Sequence, residues 1–138
     1  MTTEFRTLDD KTLVGGQVAP SDLAELQRQG VTMIVNNRPD REEPGQPMSA
    51  ELEAAAEAVG IDYRHIPISR GLSPAQVEEM VSAVSELGEG KMLAFCRSGM
   101  RSTLAWAVAS REQGVPRKEL EEKARNAGFS LAAVSHLL

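Results

Sequence analysis

Cysteine is nearly absent: the 138 residues contain one, Cys96, so no internal disulfide can form and the composition suits a reducing compartment. Histidine is almost as scarce. His65 and His136 are the only two, and neither stands at ligand spacing with other donors, which argues against a metal centre. No apolar run approaches membrane-spanning length, and the opening stretch from Met1 to Arg6 lacks a signal-peptide pattern. Net charge is −5 with the two signs interspersed, a balance that disfavours nucleic acid as a partner and requires any positive pocket to be local. Repeats and low-complexity tracts are missing as well, and no motif calls for a cofactor. These absences predict a cytoplasmic protein that forms one domain over 1–138, long enough to bury a core without covalent staples. They fix no oligomeric state.

Along the chain, strand and helix patterns alternate. Leu13-Val14-Gly15-Gly16-Gln17 reads as a short strand entering a turn, and Pro20-Ser21-Asp22 opens a helix that runs to about Gln29 and stops at Gly30. The β-branched run 31–35 has strand length and gives way to a loop over 36–47, which carries Pro39, Pro44, Gly45 and Pro47. Long loops at strand ends are often functional. Ser49 is expected to cap a helix reaching Val59, and residues 62–68 form a strand in which Pro67 marks an edge or an end. Ser73-Pro74-Ala75-Gln76 is a capping box followed by apolar residues at helical spacing. Met92-Leu93-Ala94-Phe95 is a buried strand, and residues 103–113 make a mostly apolar helix that places Trp106 in the core rather than beside a ligand. A charged helix over 116–127 and a closing segment over 131–138 complete the chain. This order predicts an α/β fold: a mostly parallel central sheet with helices on both faces. His65 then belongs to a strand face.

One run stands out: Cys96-Arg97-Ser98-Gly99-Met100-Arg101-Ser102, which follows the buried strand and enters a helix. A strand, a tight turn and a helix start would surround the Cys96 sulfur with backbone N–H groups, a ring that binds anions and favours thiolate over thiol. Arg97, Ser98, Gly99, Met100 and Ser102 are the candidate oxyanion-binding residues. Arg101 would grip a tetrahedral oxyanion with two parallel hydrogen bonds, a geometry lysine cannot copy. Gly99 permits a positive φ, and Ser102 would cap the helix and donate to the sulfur. The plainer alternative makes Cys96 a small core residue at a strand end. A glycine and two arginines crowded beside it favour the anion site. In parallel sheets ligands bind beyond the carboxyl ends of the strands, where Cys96 and the 36–47 loop both fall.

With these residues in place, the chain resembles the beta-lactamase hydrolase-like, phosphatase-like domain family (DUF442) of the tyrosine and dual-specificity phosphatase superfamily. The resemblance spans nearly the whole chain. It rests on Leu13-Val14-Gly15-Gly16-Gln17, on Val35-Asn36-Asn37-Arg38-Pro39-Asp40, on Gly60-Ile61-Asp62-Tyr63-Arg64-His65-Ile66-Pro67-Ile68 and, most specifically, on the Cys96 run. It implies a cysteine-phosphatase fold of the dual-specificity type, a thiolate nucleophile at Cys96 and an oxyanion-binding arginine at Arg101. The chain departs from the superfamily in three ways. Four residues rather than five separate Cys96 from Arg101, Phe95 stands where histidine is usual, and Ser69-Arg70-Gly71 follows Ile68 where an acidic residue is common. The four-residue spacing is similar to the loop of rhodanese-type sulfurtransferases.

Three functions fit this pattern. A phosphatase would use Cys96 on a phosphomonoester, with Asp40 the best available general acid unless it serves only as a turn former after Pro39. A sulfurtransferase would carry sulfane sulfur on Cys96 and need no acid. An oxyanion-binding module would keep the pocket without the chemistry. In each, the ligand is a small oxyanion, a phosphomonoester or a sulfane-sulfur donor, and Arg97 either steers it or is simply solvated. An exposed thiolate of this kind would be prone to sulfenic acid formation.

Overall fold

The computed structural model describes residues 5–138; Met1, Thr2, Thr3 and Glu4, part of the stretch read for a signal sequence, lie outside the described residues. Five strands form one sheet: β1 (Phe5–Asp9), β2 (Thr12–Gly15), β3 (Met33–Asn36), β4 (Asp62–His65) and β5 (Met92–Phe95), in the order β1-β2-β5-β3-β4. All neighbours run parallel except the β1–β2 hairpin. The predicted mostly parallel α/β sheet is therefore present, with an antiparallel edge the sequence reading missed.

Side chains alternate across the sheet, and the central strands are buried on both faces, which is why they read as continuous apolar runs. Val14, Met33, Val35, Met92 and Ala94 join one core cluster, shared with α3 (Pro74–Leu87), α4 (Met100–Glu112) and α5 (Arg117–Asn126). Leu13, Ile34, Leu93 and Phe95 join the other, beneath α1 (Leu23–Arg28) and α2 (Ser49–Ala58). Helices thus cover both faces. Trp106 lies in the first cluster at 2% exposure, a packing residue as expected. Among the described residues, no helix is long and apolar enough to cross a membrane.

Several boundaries differ from the expected ones. The first helix begins as a 3-10 turn at Pro20–Asp22, and the closing segment is 3-10 over Ala132–Leu137. The Ser73 box forms as predicted: Ser73 Oγ accepts from Gln76 N at 3.2 Å and Gln76 Oε1 from Ser73 N at 2.8 Å. Ser49 does not cap α2; it is the first helical residue after Met48, and its Oγ sits 2.7 Å from Tyr63 Oη. The α4 helix begins at Met100, ahead of the expected Thr103, and its N-cap is Gly99 rather than Ser102. Only β4 up to His65 is regular strand, but Ile66 N and Ile68 N continue the ladder to Asn36 O at 2.9 Å and Asn37 O at 3.0 Å. That strand lies at the sheet edge, where Pro67 is tolerated.

Candidate active site

The register aligns the ends of the four parallel strands. Gly15 pairs with Phe95, Phe95 with Asn36, and Asn36 with His65, so the next residues, Gly16, Cys96, Asn37 and Ile66, stand side by side at the carboxyl edge. Cys96 leaves the central strand, and the turn to α4 wraps its sulfur. Gly99 makes that turn with φ 97°, and a Cβ there would stand 3.2 Å from Phe129 Cζ and 3.4 Å from the Gly15 backbone. Gly16 answers from the neighbouring strand, where a Cβ would meet the Arg97 carbonyl oxygen at 2.9 Å. Gly16 is required by close backbone approach and Gly99 by its positive φ.

Cys96 is buried, with 1% of its surface exposed. This corrects the expectation of an exposed thiolate open to oxidation. Burial is the largest influence on the thiol and raises its pKa, but the N–H groups of Ser102, Ser98, Gly99 and Arg101 together outweigh it and hold the value below that of an ordinary thiol. Gly99 N lies 3.1 Å from Sγ. Of the candidate oxyanion-binding residues, Ser98, Gly99 and Ser102 therefore turn their N–H groups to the sulfur. Met100 does not, since its N–H donates to Ser98 Oγ at 3.4 Å. Ser102 contributes its backbone rather than its hydroxyl, which donates to Asn37 Oδ1 at 2.8 Å. Asn37 Nδ2 in turn donates to Ile66 O at 3.0 Å, tying the loop to two strand ends.

Arg101 faces two anions. Its side chain interacts with the Cys96 sulfur, and its guanidinium meets the Glu42 carboxylate end-on, Nη1 to Oε2 at 2.6 Å and Nη2 to Oε1 at 2.8 Å. Nη1 also donates to Ile68 O at 2.7 Å. The Nη1–Nη2 end of the guanidinium expected to await an oxyanion is thus occupied by a carboxylate of the 36–47 loop. Behind Glu42 stands Arg38, only 3% exposed. Its Nε donates to Glu42 Oε1 at 2.8 Å, its Nη1 to Gln17 Oε1 at 2.8 Å and its Nη2 to Glu43 Oε1. Glu43 also pairs with Arg97 Nε at 3.2 Å, and the Arg97 side chain is 68% exposed, pointing outward. Between these pairs Arg41 takes a left-handed φ of 65°, which costs a non-glycine residue about 1–3 kcal/mol and persists because its neighbours are held.

Neither Arg38 nor the Glu42-Glu43 pair was among the residues singled out from the sequence. The available signal was an acidic pair in a loop already expected to lie beside two arginines. Hydrogen bonds from Arg101 chiefly, and from Arg38, lower the Glu42 pKa to about 2 against the opposing effect of burial. Because the folded value lies below the reference of 4.5, the stability this pairing contributes is present above about pH 4.5 and is lost as pH falls towards 2. Thermal unfolding followed across that window should show Glu42→Gln losing less stability on acidification than the unsubstituted chain.

Asp40, the candidate general acid, is engaged elsewhere: its Oδ1 accepts from Ser49 N at 2.8 Å, at the start of α2. His65 is half-buried at the strand end, with Nε2 2.9 Å from Arg38 O. Arg38 N donates to Asn36 Oδ1 at 2.8 Å, and Asn36 Nδ2 to Tyr63 Oη at 3.0 Å. The Tyr63 hydroxyl pKa is raised, by burial above all. The polar groups left by the end of β3 are in this way satisfied by one another.

A mostly parallel sheet whose central strand delivers a cysteine loop to a helix start is the architecture of the tyrosine and dual-specificity phosphatases. The crystal structure of a kinase associated phosphatase, with its catalytic-site cysteine replaced by serine, is similar in fold, with a TM-score of 0.70 at 17% identity over 92% of this chain and 83% of that one. The chain belongs to the family described as beta-lactamase hydrolase-like protein, phosphatase-like domain, whose profile matches residues 4–115. A beta-lactamase hydrolase-like protein of Agrobacterium fabrum is 32% identical over 133 residues, 95% of this chain. The chain spans 31% of that relative's length. A candidate phosphatase from Neisseria meningitidis shares 29% identity and a TM-score of 0.76, covering 96% of this chain and 94% of its own.

Proposed function

We propose that this domain hydrolyses phosphomonoesters with Cys96 as nucleophile. The observation that carries this reading is the convergence of four backbone N–H groups and the Arg101 side chain on one buried sulfur of lowered pKa. The thiolate attacks phosphorus in line, the bond to the leaving oxygen breaks, and phosphocysteine forms; water then attacks the phosphorus, releasing inorganic phosphate and restoring the thiolate. The N–H groups of Ser98, Gly99, Arg101 and Ser102, with Arg101's guanidinium, stabilise the equatorial oxygens. Among the described residues, the candidate carboxyls are engaged elsewhere. Glu42 is ionised at neutral pH, Asp40 is bonded to Ser49 N, and Ser69-Arg70-Gly71 supplies none. A missing general acid costs about a hundred- to ten-thousandfold, so substrates with good leaving groups turn over best. Residues 1–138 act as one cytoplasmic domain on a small phosphate ester, with no nucleic-acid partner.

The spacing of four residues between Cys96 and Arg101 favours a second reading, sulfur transfer through a Cys96 persulfide, which needs no acid. One reduced preparation decides between them when assayed for release of phosphate from an activated aryl phosphate and for sulfur transfer from thiosulfate to cyanide. Phosphate release alone is the expected result. Sulfur transfer alone would replace the phosphatase reading, and silence in both would leave an oxyanion-binding module.

A further inference from the structure

Arg101 carries five N–H donors, and Glu42 and Ile68 O take three of them. Both donors of Nη1 are used, one to Glu42 and one to the Ile68 carbonyl, and one donor of Nη2 meets Glu42 Oε1. The two that remain are Nε–H and the second Nη2–H. They lie along one edge of the planar group, parallel, at the separation that suits two oxygens of a phosphoryl group. The edge facing Glu42 is therefore the end of the guanidinium, and the edge left open is its side. The Arg101 side chain also interacts with the Cys96 sulfur, and these two donors are the ones left free to meet an anion there.

A carboxylate can hold an arginine in one orientation only if it is itself held. Glu42 is in a loop without regular structure, and what fixes it is Arg38, whose guanidinium is buried and reaches three partners at once: Glu42, Glu43 and Gln17. The Arg38 backbone is anchored too, its N–H on Asn36 Oδ1 and its carbonyl against His65 Nε2. No other described side chain hydrogen-bonds to both the Arg38 and the Arg101 guanidinium groups. We propose that Arg38 and Glu42 are positioning residues: buried Arg38 fixes the Glu42 carboxylate, and Glu42 clamps Arg101 end-on so that its Nε–H and second Nη2–H stay open towards an oxyanion on Cys96. The Glu42 contact is then kept when substrate binds, and the loop acts as part of the site's frame.

The kinetic consequence rests on the phosphatase reading; the geometric one does not. In Glu42→Gln the amide offers Arg101 one acceptor and one N–H, so the clamp is lost while the shape is kept. On an aryl phosphate kcat should fall about ten- to a hundredfold, the cost of misplacing a catalytic group, while KM is unchanged or lower because a negative charge has left an anion site. Arg38→Lys retains the charge but not the three-way fork, and should show the same loss in kcat. The double variant should be no slower than the slower single one, since both act on one contact. Unchanged or faster turnover in Glu42→Gln, which would make the carboxylate a competitor of substrate, overturns the proposal, as does an additive double variant. Proton–nitrogen NMR of the Arg101 guanidinium, assigned with Arg101→Lys, reads the clamp without turnover. The Nη protons should be separately resolved in the unsubstituted chain and merge in Glu42→Gln; separate signals in that variant overturn the proposal even if the chain proves to have no phosphatase activity. Thermal unfolding checks that each variant is folded, and Glu42→Gln alone carries the test should Arg38→Lys fail to fold.

Discussion

Cys96→Ser is expected to lower phosphate release from an aryl phosphate by at least about a thousandfold, because the reaction loses its covalent step and not merely a contact. The fold should survive the change. The serine oxygen can accept from the same N–H groups that meet the sulfur, and the site stays buried. Inorganic phosphate should still bind, which separates loss of chemistry from loss of the pocket. Single-turnover mixing with mass spectrometry should trap phosphocysteine in the parent and not in the variant. The pH profile adds an independent reading. With the thiol held below its usual 9.0, the thiolate persists as pH falls through the ordinary thiol range, so the acidic limb of kcat/KM has its inflection below 9.0. An inflection at or above that value would sink the thiolate assignment.

Trp106→Ala should have the largest effect on stability. The indole is 2% exposed and packs in the cluster that joins α4 to the sheet, so truncation loses its transfer energy and leaves a cavity that close-packed neighbours fill only in part. A loss of about 3–5 kcal/mol is expected, corresponding to roughly 10–20 °C in Tm for a domain of this size. Urea unfolding followed by circular dichroism measures it. Destabilisation below about 1 kcal/mol would mean the side chain is not the packing centre that its burial implies.

What the sequence revealed and what it withheld follow from the distance over which each feature is decided. The Cys96 loop was legible because its chemistry lies within seven successive residues, 96–102, and the Ser73 box because a cap and its reciprocal partner are three positions apart. The parallel core was legible for the same reason: strands buried on both faces are apolar at every position. The β1 strand was missed because its Arg6-Thr7 stretch is exposed and its pairing to β2 is made by the backbone, which no side-chain pattern announces. The N-cap expected at Ser102 falls to Gly99, whose positive φ was foreseen. Helical periodicity marks the length of α4, but only the positive φ at Gly99 sets where it begins. Asp40 and Ser49 meet across nine positions of irregular loop, and the composition of that loop says nothing of which carboxylate goes where. Arg38 was passed over because arginine is rarely buried; its burial follows from Glu42, Glu43 and Gln17 arriving together.

The position of β5 in the middle of the sheet carries a consequence for how the backbone opens. Cys96 leaves a strand that is hydrogen-bonded on both sides, by β2 and by β3, so its amide neighbours exchange with solvent only when much of the sheet comes apart. Glu42 belongs to exposed, irregular backbone, which opens in far smaller excursions. A slowly exchanging strand and a faster-exchanging loop therefore meet across one guanidinium, and a ligand that seats against Arg101 couples the two. Its imprint on exchange should fall on the loop, where there is protection left to gain, while the strand beneath the sulfur stays as it was.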